Sequence, residues 1–214
     1  MLQYQVSLGP ESRDGSPVLI LLHGRGSHRG DLQALRTQLP EDLVLVTPQA
    51  PHAGHPWGYG PGWAWYRYVA EDRLVDETLD ASLGFLQGFL SQIDHALPVS
   101  PGPRFMGGFS QGGTTSLAYA LTRPGHLDGV LNFSGFLADT PLFNLNEAGK
   151  TVAPIFWGHG RRDPNIPYEL ALRGRELLAA AKVPVAEADF DIGHWIDPGE
   201  IQAAVDWMAG LRAD

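Results

Sequence analysis

The sequence predicts an α/β domain, with a mostly parallel central sheet of about seven strands and helices on both faces. Three observations in the 214 residues carry that prediction. Apolar runs of strand length recur at 17–22, 43–46, 105–109, 127–133 and 152–157, with turn residues and segments of helical spacing between them. These runs are continuously apolar rather than alternating, as in strands covered on both faces. Finally, His23, Ser110, Asp163 and His194 each fall just after a strand. The carboxyl ends of parallel strands share one edge of the sheet, so the four residues converge there.

Tyr4, Val6 and Leu8 alternate with polar residues and read as an edge strand. After the turn from Gly9 to Ser16, the run Pro17–Leu22 is a buried strand that ends in His23-Gly24-Arg25-Gly26. Asp31 is expected to cap a helix through Leu32, Leu35 and Leu39. Leu43–Val46 forms the next strand. Residues 52–69 carry Trp57, Tyr59, Trp63, Trp65, Tyr66 and Tyr68 among glycines and prolines, with no regular period. Such a segment either covers an edge of the core or forms an aromatic wall beside a pocket, and the two roles are compatible. From Asp72 to Leu97 the stripe Val75, Leu79, Leu83, Leu86, Leu90, Ile93 predicts a long helix with one face in the core.

Phe105-Met106-Gly107-Gly108-Phe109 reads as a strand that enters the tight turn Ser110-Gln111-Gly112-Gly113 and leaves as a helix through Leu117, Ala118 and Leu121. Glycine at 108 and 112 leaves room for a turn so sharp that a side chain would strike the neighbouring strand or helix, and Gly113 lets the helix lie close to the sheet. Strands follow at Leu127–Phe133 and Val152–Trp157, the latter breaking into His159-Gly160-Arg161-Arg162-Asp163-Pro164. Asn165 is expected to cap a helix through Leu170, Leu177 and Leu178. Val185–Asp191 is more polar and predicts an edge strand, with Asp189 and Asp191 on its solvated face. Asp197-Pro198-Gly199-Glu200 has the pattern of a capped helix start.

The composition excludes several classes. A net charge of −9 without a basic run argues against nucleic-acid binding. The absence of cysteine removes a disulfide framework, a thiolate metal site and a cysteine nucleophile. No apolar run reaches the length of a membrane span, and residues 1–6 do not resemble a signal peptide. The chain is therefore expected to be one soluble, cytoplasmic domain, as monomer or homodimer. Gly24-x-Gly26-x-x-x-Gly30 superficially matches a dinucleotide-binding turn, but the following strand ends in Thr47-Pro48-Gln49 and lacks the acidic residue that holds a ribose. No cofactor and no metal are expected.

Gly108-Phe109-Ser110-Gln111-Gly112 has the form of a nucleophile elbow. A serine needs a base and a group that orients the base. His194, beside Gly193, is the candidate base; Asp163 is the candidate orienting carboxylate, with Asp139 as the alternative. The backbone N–H groups of Arg25 and Gln111 are the candidate oxyanion donors, with His23 bracing the Arg25 loop.

With these residues assembled, the chain resembles an α/β-hydrolase of the carboxylesterase/phospholipase family that includes the acyl-protein thioesterases. The resemblance spans nearly the full length. It is carried by Leu22-His23-Gly24-Arg25-Gly26, Pro48-Gln49-Ala50-Pro51, Trp65-Tyr66, Gly108 to Gly113, Phe133-Ser134-Gly135, His159 to Pro167 and Gly193-His194. It implies the α/β-hydrolase fold, a Ser110–Asp163–His194 triad, hydrolysis of carboxylic esters or thioesters through an acyl-enzyme, and a groove for an acyl chain. A small-molecule ester is the expected partner. Trp57, Tyr59, Trp63, Trp65, Tyr66 and Phe136 are the candidate substrate-binding residues. Arg67 departs from the family pattern, which places an acid after the Trp-aromatic pair, so reaction type transfers better than substrate. A lactone, amide or polyester oligomer as substrate, or a non-catalytic binding role, are the alternatives on this scaffold.

Overall fold

The structure is a computed structural model, describing residues 1–70, 72–148 and 152–213. Seven strands form one sheet: β1 (Tyr4–Leu8), β2 (Ser16–Leu22), β3 (Val44–Pro48), β4 (Pro101–Phe109), β5 (Gly129–Phe133), β6 (Ile155–Gly160) and β7 (Val185–Phe190). Their spatial order is β1-β3-β2-β4-β5-β6-β7, with β1 antiparallel to β3 and every other pairing parallel. The main helices are α1 (Asp76–Ala96), α2 (Gln111–Thr122), α3 (Tyr168–Ala180) and α4 (Pro198–Ala213).

The unbroken apolar runs sit where both faces are covered. Every residue of β2, β3, β5 and β6 is buried, whereas β7 is half-exposed at its edge. Successive side chains of β2 divide between the two layers. Val18, Ile20 and Leu22 pack towards α1, while Leu19 and Leu21 join Ile201 and Met208 of α4. Helix α1 buries Leu79, Leu83, Leu86, Phe89, Leu90 and Ile93, each contributing about 2 kcal/mol of transfer free energy.

Several element boundaries depart from the sequence expectation. Tyr68–Ala70 and Arg73–Leu74 pair as a small antiparallel ribbon, so α1 starts at Asp76 rather than Asp72. β6 begins at Ile155 because Pro154 has no N–H for a sheet ladder; it runs on through His159 and Gly160. Asp31 does not cap. Its carboxylate takes the Ser27 hydroxyl at 2.7 Å, and the helix that follows, Leu32–Gln38, is a 3-10 helix. Asn165 does not cap α3 either, because Pro167 directly precedes that helix. Asp189 is not merely solvated: it accepts from the Tyr168 hydroxyl and from the buried Arg175 guanidinium, Nη1 to Oδ1 at 2.8 Å. Burial opposes its ionisation, but those two donors outweigh burial and lower its pKa.

The start of α4 follows expectation. Gly199 N–H donates to Asp197 Oδ1 at 2.7 Å, and Glu200 reaches back to Asp197 N–H at 3.4 Å. Glu200 is fully buried against Gly158, where a Cβ would lie 2.1 Å from Oε1. Burial pushes its carboxyl up to about 8. No helix among the described residues is long and apolar enough to cross a membrane.

Candidate active site

Ser110 occupies the turn between β4 and α2 with φ 54° and ψ −115°, a backbone conformation that a non-glycine residue adopts only at a cost. Neighbouring glycines make this turn possible. A Cβ on Gly108 would lie 2.5 Å from the Gly112 carbonyl carbon, and one on Gly112 would lie 2.0 Å from the Leu22 carbonyl oxygen. At Gly113 it would lie 2.1 Å from Asn132 Oδ1, so this glycine sets how closely α2 approaches the sheet. The turn also hangs on its neighbour, with Ser110 N–H donating to the Phe133 carbonyl at 2.8 Å. One strand along, Ser134 repeats φ 54° and donates to the Gly158 carbonyl at 3.0 Å. Arg161 and Arg162 N–H groups then donate to the Phe190 and Ile192 carbonyls at 2.8 and 3.0 Å.

Asp163 follows β6 and is held from two sides. Its Oδ1 accepts from Asn165 and Ile166 N–H at 2.8 and 2.9 Å, while Oδ2 accepts from His194 Nδ1 at 2.6 Å. Burial alone would raise its pKa, but the His194 hydrogen bond and the two backbone donors more than compensate and lower it. With Nδ1 committed to Asp163, the other imidazole nitrogen of His194 is left for the cleft. The Phe109 ring packs on the imidazole with centroids 4.7 Å apart. Ser110 and His194 line the same cavity of about 500 Å³, although no hydrogen bond joins them in this structure. Such bonds commonly tighten only when substrate is bound. Asp139, the alternative carboxylate, lines a different cavity of about 300 Å³ with Leu170 and Arg173.

Across the cleft lies the loop after β2. His23 is buried and donates from Nδ1 to the Gly24 carbonyl at 2.7 Å, while Nε2 accepts from Ala50 N–H at 3.1 Å. Burial depresses its pKa to about 4, so it braces the loop as a neutral ring. Gly26 N–H donates to the Trp63 carbonyl and Trp63 N–H to the Ser27 carbonyl, both at 2.8 Å. The Trp65 indole N–H donates to the His23 carbonyl at 2.9 Å. The side-chain amide of Gln111 bridges the two halves, accepting from Trp65 N–H at 2.8 Å and donating to the Tyr66 carbonyl at 2.7 Å. The backbone N–H groups of Arg25 and Gln111 have no carbonyl partner among the described residues; Gln111 opens α2, where such donors are intrinsically unpaired.

None of the six aromatic residues expected to bind substrate lines the cavity. Trp65, Tyr66 and Phe136 are at most 1% exposed and belong to the core. Trp57, Tyr59 and Trp63 are half-buried: Trp63 belongs to a second small ribbon, His52–Ala53 with Trp63–Ala64, beside the Arg25 loop, and Trp57 and Tyr59 lie in the loop between its two strands. The cavity wall is made instead by Tyr68, Val69 and Ala70, the last residues of the aromatic segment and the first beyond it. Arg67 is exposed and outside the cavity lining. Sequence reasoning also passed over His159, which is buried at the end of β6, with Nε2 3.0 Å from the Ile166 carbonyl and 3.8 Å from Asp163 Oδ2. Its spacing of four residues from Asp163 was the available signal.

The phospholipase/carboxylesterase family model matches residues 7–211. The chain belongs to that family. Acyl-protein thioesterase 1 of Kluyveromyces lactis is 30% identical over 177 residues, covering 77% of each chain. Among solved structures, the Bacillus cereus carboxylesterase superimposes with a TM-score of 0.81 at 19% identity, covering 99% of this chain and 95% of that one. Zea mays acyl-protein thioesterase 2 gives 0.78 at 21% identity, covering 99% of each chain. This member of the phospholipase/carboxylesterase family is thus a hydrolase with the α/β-hydrolase fold.

Proposed function

We propose that this hydrolase cleaves carboxylic esters, and thioesters of the kind its relatives are named for, by a Ser110–His194–Asp163 mechanism. The observation that carries this reading is the 2.6 Å contact from His194 Nδ1 to Asp163 Oδ2, in a ring whose other nitrogen faces the cavity that Ser110 lines. Ser110 Oγ attacks the carbonyl carbon as its proton passes to His194 Nε2. The carbonyl oxygen takes the negative charge and accepts from the N–H groups of Arg25 and Gln111, each worth about 3 kcal/mol in comparable sites. When the intermediate collapses, the bond to the leaving oxygen or sulfur breaks and His194 returns the proton to that atom. Water then attacks the acyl-enzyme by the same route, releasing the acid and regenerating Ser110. Asp163 holds the imidazole tautomer and stabilises the imidazolium without itself being protonated.

The test is hydrolysis of 4-nitrophenyl esters from acetate to palmitate by wild type and by Ser110→Ala, with fluorophosphonate labelling of both. Turnover and label in wild type alone support the assignment. A Ser110→Ala protein that keeps turnover overturns it.

A further inference from the structure

The cavity beside Ser110 carries a cation on its wall. Arg25 is exposed, yet its guanidinium is seated in an aromatic notch, 5.0 Å from the Tyr59 ring centroid and 5.2 Å from that of Tyr68. The notch is itself fixed, because the Tyr59 hydroxyl accepts from Tyr68 N–H at 2.8 Å. Rings that pack on a guanidinium leave its in-plane N–H fork open, which suits a carboxylate. Asp31, the carboxylate on the same wall, takes the Ser27 hydroxyl at 2.7 Å. Among the described residues lining the cavity, Arg25 is the one arginine and Asp31 the one carboxylate.

The two ends of a substrate are distinguished by His194, which must protonate the departing atom. Beyond His194 lies a shallow shelf of Pro164 and Trp195, where the one charge, on Arg162, is paired with Asp191 at 2.7 Å. That shelf suits an apolar leaving alcohol or thiol. The acyl chain then runs the other way, beneath the loop whose backbone N–H meets the carbonyl oxygen and whose side chain is Arg25.

Resting on the esterase reading above, we propose that Arg25 selects esters whose acyl chain ends in a carboxylate, the half-esters of short dicarboxylic acids. The test compares monomethyl adipate with dimethyl adipate, followed by titration of released acid. Alkyl esters avoid the spontaneous ring closure that activated half-esters undergo. Wild type is expected to favour the monoanion about tenfold in kcat/KM, the scale of one charge-assisted hydrogen bond. Arg25→Gln, which keeps the backbone N–H, brings the ratio to one or below, and Arg25→Lys restores part of it. A wild-type ratio at or below one, or an Arg25→Gln that lowers both esters equally, overturns the proposal. Calorimetric binding of monomethyl adipate to Ser110→Ala, with and without Arg25→Gln, reads the same contact without turnover. An affinity about tenfold weaker in the double variant is expected on the same hydrogen-bond scale, and equal affinities overturn the selection. Failure of wild type to hydrolyse either ester, while Ser110→Ala still binds monomethyl adipate through Arg25, would count against the esterase reading alone.

Discussion

At the Ser110 turn, a Cβ added to Gly112 or Gly113 would lie 2.0 or 2.1 Å from a neighbouring oxygen; across the cleft, the Arg25 loop is held by Trp65, Trp63 and His23. One candidate oxyanion donor is thus positioned by side chains that are missing, and the other by side chains that fill. The first arrangement writes itself into a pentapeptide. The second is spread over residues from 23 to 65 and exists only once the ribbon has folded over. Its indole and backbone hydrogen bonds do locally what the glycines do by steric permission, but each is a separate interaction that can be removed singly.

The largest effect falls on neither side but on the group that serves both. Asp163→Asn should lower kcat about 10⁴-fold with little change in stability, because an amide favours the wrong imidazole tautomer; stopped assays and thermal unfolding of the pure variant check it. On the glycine side, Gly112→Ala should cost more than about 4 kcal/mol or prevent folding, since its Cβ meets main-chain carbonyls that have nowhere to go. Gly58, with φ 75° and open space around it, is the control: alanine there should cost only about 1 kcal/mol in denaturant titrations.

The two sides of the sheet should also respond oppositely to pH. His23 has a folded pKa depressed to about 4 from 6.5, so the unfolded chain binds more protons between those values. Its contribution is complete above pH 6.5 and declines as pH falls towards 4, by about 3 kcal/mol in all. Glu200 has a folded pKa raised to about 8 from 4.5, so its contribution is complete below pH 4.5 and is lost as pH rises towards 8. Denaturation at several pH values should show Glu200→Gln flattening the decline between pH 4.5 and 8 while leaving the acid limb of His23 in place. A smaller change is expected from Trp65→Phe. It strands the His23 carbonyl and should cost about 2 kcal/mol, with kcat falling more than KM rises.

What the sequence made legible follows the same division. Ser110, Asp163 and His194 could be placed because each lies in a short turn directly after a strand, where local pattern and sheet topology agree. Trp65 and Tyr66 were misplaced because aromatic composition marks a segment as important without saying which way its rings face; both are fully buried. Tyr68 forms the cavity wall because the ribbon it shares with Leu74 turns it outward, a pairing that no local pattern announces. Asp31 and Asn165 looked like helix caps, but the Asp31 carboxylate is taken by the Ser27 hydroxyl, and Pro167 rather than Asn165 directly precedes α3. His159 was hidden because the strand runs three residues further, to Gly160, than its apolar run suggests.

The bonds from Ser110 to Phe133, from Ser134 to Gly158 and from Arg161 to Phe190 form a staircase, each loop resting on the strand beside it. The loops that carry Ser110, Asp163 and His194 are therefore not three independent fixtures but successive treads on one flight. A tilt of β7 lifts every step above it, and no single tread can work loose while its neighbours stay level. Heat should accordingly take the candidate active site and the sheet together, so that the temperature of half-inactivation coincides with that of unfolding instead of preceding it.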